Sequence, residues 1–378
     1  MAVEVRKLVK LWADACAAGE ECALATVVRV SGSSYRKPGA RMMITRSGQR
    51  AGTVSGGCLE AEVARKIWWL TEDGPILKDY STSYDDDSQP FYGLGCDGVV
   101  SLLFERTSEA DAALGALRRS VQERTRAVIV TVIDTGSKDA PLGSRLIVSE
   151  AHFPSRSDGI PPQLQQLLLP VALDALRAEH SKTASVLYAG SGLELFVEYI
   201  APPPALYVFG AGDDAQPVVQ LANAMGWEVM VADGRSNLAT PARFPSAARV
   251  AVLDLDQPLR SLPIAGGDAA VVMTHSYRQD VSILRGLLPL QLAYLGVLGP
   301  KRRTARIVNE VAASSGVDPA EALSSLKSPV GLDLGAGSPE IIALSIAAEI
   351  QAVLTRRSAA PLHLAASAEM PLAAAIHE

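Results

Sequence analysis

Aromatic residues are scarce in this chain, at 5% of its 378 positions, so any core must be assembled mostly from Leu, Val, Ile and Ala. At 48% hydrophobic residues there is ample material for full-sized cores. Positive charge is not in surplus: a net charge of −6 argues against a nucleic-acid partner, which favours a basic stripe. No apolar run reaches the roughly 18 residues that a membrane span needs. The first residues, Met1-Ala2-Val3-Glu4-Val5-Arg6-Lys7, carry charges through what would be the apolar centre of a secretory signal, so none is expected. Four cysteines (Cys16, Cys22, Cys58 and Cys96) form no C-x-x-C pair and are too few for a disulfide framework. They read as thiols of a reducing cytoplasm.

The length fits two domains. Residues 3–18 carry a helical period, with Val5, Leu8, Val9, Trp12, Ala15 and Cys16 on one face, which makes Cys16 an expected core residue. Strands are expected at 23–30, 40–45 and 50–55, with a hairpin turn at 46–49 and a helix over 58–70. Strands follow at 75–84 and 98–105, a helix at 108–122, a strand at 126–134, a helix at 161–178 and two short strands within 184–200. Residues 1–200 thus read as a mixed α+β domain, with no legible internal repeat. Ala201-Pro202-Pro203-Pro204 reads as a linker, since consecutive prolines cannot continue a helix or inner strand. Over 205–357 the pattern alternates. Strands are expected near 205–209, 228–232, 249–253, 269–274 and 292–298, and helices near 214–225, 279–288, 301–315 and 338–354. Such alternation predicts a parallel sheet of Rossmann type. Residues 358–378, rich in Ala, Pro, Ser and His, read as a flexible or loosely docked tail.

Between the first strand and helix of that second domain stands Gly210-Ala211-Gly212-Asp213-Asp214-Ala215, matching G-x-G-x-x-[GA]. Gly210 permits a tight turn, Gly212 lets a phosphate approach the backbone, and Ala215 lets helix and strand pack closely. Asp233 ends the next strand, where an acid usually holds a ribose hydroxyl. Asp213 and Asp214 are placed in the first helical turn, where they suit the helix dipole but repel a pyrophosphate. Three further segments fall at the carboxyl edge of the sheet, where open α/β sheets bind ligands. Thr274-His275 offers a strand-end histidine, either a structurally satisfied ring or an acid/base group. Gly299-Pro300-Lys301-Arg302-Arg303 joins a glycine to three cations, either an oxyanion site or the solvated start of a helix. Gly331 to Glu340 precedes the last helix, with Ser338 and Pro339 as expected capping residues.

In the first domain, Gly56-Gly57-Cys58-Leu59-Glu60 sets a thiol at a helix N-terminus. Backbone N–H groups and the helix dipole there favour an anion, and thiolate over thiol. Such a cysteine could ligate a soft metal, carry sulfur or contact a sulfur-bearing cofactor; it could equally be a small packing residue. Gly93-Leu94-Gly95-Cys96-Asp97-Gly98 poses the same alternatives. Asp85-Asp86-Asp87 reads as a solvated acidic turn rather than a calcium loop.

Taken together, these segments resemble the XdhC/CoxI family of accessory proteins for molybdenum-containing hydroxylases such as xanthine dehydrogenase. The resemblance runs from Ala25-Thr26-Val27-Val28 through Ser31-Gly32-Ser33-Ser34-Tyr35-Arg36-Lys37-Pro38-Gly39-Ala40 to Ser55-Gly56-Gly57-Cys58-Leu59-Glu60, and resumes at Gly93-Leu94-Gly95-Cys96. In the second domain it includes Phe209 to Gly212, Thr274-His275, Tyr294 to Gly299, Gly331 to Gly335 and Ser338-Pro339-Glu340. Family members often have His where this chain has Asp213, Gly where it has Asp97 and Ser where it has Pro300.

The resemblance implies a protein that binds molybdenum cofactor, protects it while a terminal sulfur is added, and delivers it to an apo-hydroxylase. It implies a cysteine desulfurase and the client enzyme as partners, and a homodimer. On this reading Cys58, beside Gly56 and Gly57, lies near the molybdenum or its sulfur, with Cys96 a second candidate. Gly210, Gly212, Asp233 and His275 hold a nucleotide-like portion, and Gly299, Lys301 and Arg302 a phosphate. Two rivals stand beside it: an NAD(P)-dependent oxidoreductase using His275 as acid/base, and a nucleotide-sensing binding module.

Overall fold

The computed structural model describes residues 2–57, 59–81, 98–150, 156–158, 160–315, 318–335 and 337–364. Contacts divide the chain into two compact units, Met1–Pro203 and Pro204–Glu378.

The first unit runs α1 (Ala2–Ala17), β1 (Cys22–Gly32), β2 (Arg41–Thr45), β3 (Arg50–Gly52), α2 (Glu60–Leu70), β4 (Ile76–Ser81) and β5 (Gly98–Arg106). It continues with α3 (Thr107–Glu123), β6 (Ala127–Thr135), β7 (Arg145–Ser149), β8 (Arg156–Asp158), α4 (Pro162–Ala178), β9 (Lys182–Tyr188) and β10 (Ser191–Ile200). These strands form two five-stranded antiparallel sheets, ordered β3-β2-β1-β5-β4 and β8-β7-β6-β10-β9. The second order is the first repeated, and each sheet is preceded by one helix and interrupted by another. The unit is therefore an internal duplication, which the sequence does not announce.

Residue detail confirms the equivalence. Thr26 pairs with Arg41 as Thr131 pairs with Arg145, and Leu24 pairs with Glu105 as Ile129 pairs with Glu198. The register of β1 against β5 shifts at Val28, and that of β6 against β10 at Ile133. Both bulge residues are buried in one small cluster with Leu103 and Phe196, themselves equivalent. Two buried ion pairs then cross between the halves: Arg41 of β2 holds Glu198 of β10, and Arg145 of β7 holds Glu105 of β5. Each carboxylate lies over a glycine in the left-handed region. A Cβ on Gly39 (φ +94°) would stand 2.8 Å from Glu198 Oε1, and one on Gly143 (φ +84°) would stand 3.0 Å from Glu105 Oε1. No L-residue suits that backbone, and a side chain there would press on the ion pair.

The cores follow the same plan. Leu8, Val9 and Trp12 of α1 and Ala113, Leu114 and Leu117 of α3 pack with residues from both sheets. The other face of each sheet is covered by its own helix, α2 through Val63 and Ile67, α4 through Leu164 and Leu168. Cys16 is exposed, because the buried stripe of α1 stops at Ala15. Cys22 is buried, and burial, with Glu20 next, pushes its thiol up to about 11.

The second unit runs β11 (Ala205–Phe209), α5 (Ala215–Ala224), β12 (Glu228–Asp233), β13 (Arg249–Val252), β14 (Ala269–Val272), α6 (Tyr277–Leu287), a 3-10 turn (Leu288–Leu290), β15 (Tyr294–Val297), α7 (Lys301–Ser315), α8 (Pro319–Ser325) and α9 (Pro339–Leu354). All pairings are parallel, in the order β13-β12-β11-β14-β15. This is the Rossmann-type sheet that the alternation predicts, pared down: no helix lies between β12 and β13 or between β13 and β14. Both faces are buried. Tyr207 and Phe209 of β11 face the core with α6 and α7, while Leu206 and Val208 face the core with α5 and α9.

No helix among the described residues is long and apolar enough to cross a membrane.

Candidate functional site

Two places gather the residues that the sequence singles out, one in each unit. In the first unit, the connection from β3 to α2 passes through Ser55, which is buried, and then Gly56 and Gly57, which are exposed. The Ser55 hydroxyl donates to Glu60 Oε2 (2.5 Å) and accepts from the N–H groups of Gly57 and Leu59 (3.1 Å each). Glu60 Oε1 accepts from the N–H groups of Val54 (3.1 Å) and Ser55 (2.8 Å). Burial works to raise the Glu60 carboxyl, and these hydrogen bonds outweigh it, holding it below its usual range. The turn is thus braced by its own side chains. Two of the N–H donors that the sequence assigns to an anion are taken by Ser55. What remains open is surface: nothing lies within 4 Å of where a Cβ on Gly57 would stand, at φ +118°. Cys58 and Cys96 lie outside the described residues, as does the Asp85-Asp86-Asp87 loop.

Beside this turn stands Tyr35. A Cβ on Gly56 would lie 3.7 Å from the Tyr35 ring, whose residue is nevertheless 75% exposed. The loop that carries it is tied at two points. Ser34 Oγ donates to the Arg36 carbonyl (2.9 Å) and accepts from the Arg36 N–H (3.3 Å), and Arg36 reaches Glu4 of α1 (2.5 Å).

In the second unit, the chain runs outward from β11 to β12 and β13 and then returns to β14 on the other side, so the switch point lies between β11 and β14. Gly210 opens the turn after β11 at φ +129°, and a Cβ there would collide with the Met273 carbonyl at the end of β14. Only glycine lets the two strand ends approach so closely.

Asp233, fully buried at the end of β12, is committed within the protein. Oδ2 accepts from the Ala211 N–H (2.8 Å) and Arg235 Nη2 (2.6 Å); Oδ1 accepts from the Arg235 N–H (2.8 Å) and Nε (2.9 Å). Four acceptor positions receive four hydrogen bonds. Burial works to raise this carboxyl; the Arg235 side chain and the backbone donors outweigh it and hold it below the usual range. Arg235 also donates to the Thr274 carbonyl (3.1 Å), tying the ends of β12 and β14 together.

The two acids after Gly212 precede α5 rather than lying in its first turn, and each meets a basic side chain. Asp213 accepts from Arg243 (2.8 Å), which also holds the Ala211 carbonyl (3.1 Å). Asp214 is 2.7 Å from His275 Nε2. His275 sits at φ +59°, a strained position for a non-glycine residue at a strand end. Thr274 Oγ1 donates to Asp280 Oδ1 (2.5 Å), whose other oxygen accepts from Arg303 (2.5 Å). The carboxyl edge is therefore ringed by Arg235, Arg243, His275 and Arg303, each set against a carboxylate. Arg235 and Arg243 carry no motif; Arg235 lies two residues past Asp233, but its bond to the Thr274 carbonyl and that of Arg243 to Asp213 form only on folding.

Gly299 (φ +126°) leads into α7, whose first residues, Lys301 and Arg302, are exposed. Beyond it, Glu349 of α9 accepts from the Gly331 N–H (2.8 Å) and from the Tyr294 hydroxyl (2.5 Å), and burial pushes that phenol far up. Ser338 occupies the N-cap position of α9, but its hydroxyl donates to Glu340 (2.7 Å) instead of capping the helix. Among the described residues no group of three or more His, Cys, Asp or Glu side chains could hold a metal ion.

Known proteins share this architecture throughout. Residues 206–350 match the XdhC Rossmann domain, and residues 15–81 match the XdhC and CoxI family. The chain is 33% identical over 342 residues to a Bacillus subtilis protein named as a probable xanthine dehydrogenase subunit, covering 90% of this chain and 95% of that one. It is 25% identical over 354 residues to the molybdenum cofactor insertion chaperone PaoD of Escherichia coli, covering 92% and 88%. The crystal structure of a xanthine dehydrogenase from Bacillus halodurans superposes with a TM-score of 0.72 at 27% identity, over 94% of this chain and 98% of that one. Likeness of this extent, across both units, makes the chain a member of the XdhC and CoxI family.

Proposed function

We propose that this protein is a molybdenum-cofactor accessory factor: it binds the cofactor, shelters it while a terminal sulfur is added, and inserts it into a hydroxylase of the xanthine dehydrogenase type. The observation that carries the reading is the likeness, over 92% of the chain, to a protein named as a molybdenum cofactor insertion chaperone. The cofactor supplies the redox-active metal of the client enzyme; this chain binds, orients and releases it. The open backbone at Gly57 fits a flat polar group, with Cys58 next in the chain as the residue near the molybdenum or its sulfur and Cys96 as a second thiol. In the Rossmann unit, Gly210, Gly212 and His275 line the place for a nucleotide-like portion, and Gly299, Lys301 and Arg302 that for a phosphate. Asp233 serves there by holding the glycine turn and Arg235 in place. A cysteine desulfurase, an apo-hydroxylase and a second copy of the chain are the partners that this role calls for, in the cytoplasm.

The rival reading, NAD(P)-dependent hydride transfer, draws on the His275–Asp214 pair at the switch point. It is disfavoured by Asp233, whose acceptor positions are filled and offer nothing to ribose hydroxyls. Purified protein mixed with cofactor released from a donor molybdoenzyme should carry pterin through gel filtration, and Cys58→Ala should carry much less. Absence of pterin on the wild type sinks the proposal. Pterin retained in full by Cys58→Ala removes that residue from the site. Reduction of substrate by NAD(P)H at catalytic rates would establish the rival.

A further inference from the structure

The duplication supplies an internal control on the first unit. Both halves build the same sheet, the same bulge and the same covering helix. What differs between them is therefore not required by the fold. In the first half, residues 53–59 connect β3 to α2; in the second, residues 159–161 suffice to connect β8 to α4. The additional length holds Gly56 and Gly57. The loop before β2 differs in the same direction. Counting back from the equivalent glycines Gly39 and Gly143, the first half has Tyr35-Arg36-Lys37 where the second has Asp139-Ala140-Pro141. The two departures meet: the Tyr35 ring lies against Gly56.

An aromatic ring that is 75% exposed contributes little to a core, and leaving it in water forfeits what its burial would gain. Yet the loop presenting it is fixed by the Ser34–Arg36 hydrogen bonds and the Arg36–Glu4 ion pair, with Lys37 exposed alongside. An uncovered ring on a tethered loop beside side-chain-free backbone, with a cation at hand, is a platform for a planar heterocycle that carries negative charge.

We infer that Tyr35 is the stacking residue of the N-terminal site: the planar ring system of the bound cofactor lies on its phenol ring, over the Gly56-Gly57 turn. This rests on the cofactor-binding reading above and names the residue that orients the ligand there. At the equivalent places the second half has neither the tyrosine nor the pair of glycines, so the unit holds one such ligand and not two.

The test is titration of the full chain with pterin cofactor released from a donor molybdoenzyme, read as pterin fluorescence retained after gel filtration and oxidation. Tyr35→Ala should raise the Kd about tenfold, and Tyr35→Phe, which keeps the ring, should stay within about twofold of wild type. Neither should shift the melting temperature, since the side chain is exposed. Tyr35→Trp should acquire indole emission that the cofactor quenches beyond the quenching of the wild type's own tryptophans. Binding by Tyr35→Ala equal to wild type overturns the inference while leaving the cofactor-binding reading intact. So does Tyr35→Phe binding as poorly as Tyr35→Ala, or Tyr35→Trp emission indifferent to the ligand. A wild type that retains no pterin overturns both.

Discussion

At the scale of single residues, Asp233 shows how position and role can part company. By sequence it occupies the place of a ribose-binding acid; in the folded unit its carboxylate braces the turn through Ala211 and Arg235. The folded pKa lies below the ordinary carboxylate value, so the linkage has a definite sign. Its stabilisation is fully present above about pH 4 and is lost as pH falls through the lower, folded value. Asp233→Asn should cost about 2 kcal/mol at neutral pH, the order expected for hydrogen bonds to a charged group. It should also flatten the acid limb of a stability-versus-pH curve measured by urea unfolding; an unchanged acid limb would remove Asp233 as its source. Little of this is legible in the sequence. Gly210, Gly212 and Asp233 announce a Rossmann turn because their spacing is local. The partners of Asp213 and Asp214 stand 30 and 61 positions away, at Arg243 and His275, and no periodicity reports a contact made by tertiary folding.

At the scale of elements, the ion pairs Arg41–Glu198 and Arg145–Glu105 tie each half of the first unit to the other. For Arg41, burial works to lower the guanidinium and Glu198 outweighs it, so the guanidinium stays charged. Removing one partner strands a buried charge, and Glu198→Leu should destabilise by about 3–5 kcal/mol. Replacing both, as Arg41→Met with Glu198→Leu, should recover most of that loss, because the desolvation penalty goes with the charges. Urea denaturation of the two singles and the double decides it; a double variant as unstable as the worse single would mean that the carboxylate is needed to hold Gly39 and its loop. The strands themselves are largely readable from their apolar runs, but β7 is not: Arg145 to Ser149 is short and its partner strand lies behind a long loop. The duplication stays hidden for a related reason. Thr26 and Thr131, Gly39 and Gly143, Arg41 and Arg145 are identical, but most core positions around them keep only their apolar character, as Leu24 to Ile129 and Met42 to Leu146 do. Packing constrains volume and polarity more tightly than identity.

At the scale of the whole molecule, each unit owns its cores: every cluster is built from residues of one unit only. Fragments 1–203 and 204–364 should therefore each give a cooperative thermal transition by circular dichroism. Residues 1–106 alone should not, because Val28 and Leu103 lose Ile133 and Phe196, and Arg41 loses Glu198. A sharp transition in that shorter fragment would show that one half is sufficient. The division at the prolines and the parallel sheet beyond it are visible in composition and alternation. The first unit's two sheets are not, since helices and short strands mixed in one stretch of chain admit many topologies.

The reciprocal exchange of carboxylates has a further consequence, one of ancestry. Two equivalent halves that each complete the other's buried arginine have the geometry of a symmetric dimer whose two chains became joined end to end. In a dimer of separate chains every substitution is made twice, and a loop that lengthens on one side lengthens on both. Fusion removes that restriction. One copy can keep the short connection and preserve the scaffold, while the other is free to grow a glycine turn and set a tyrosine beside it.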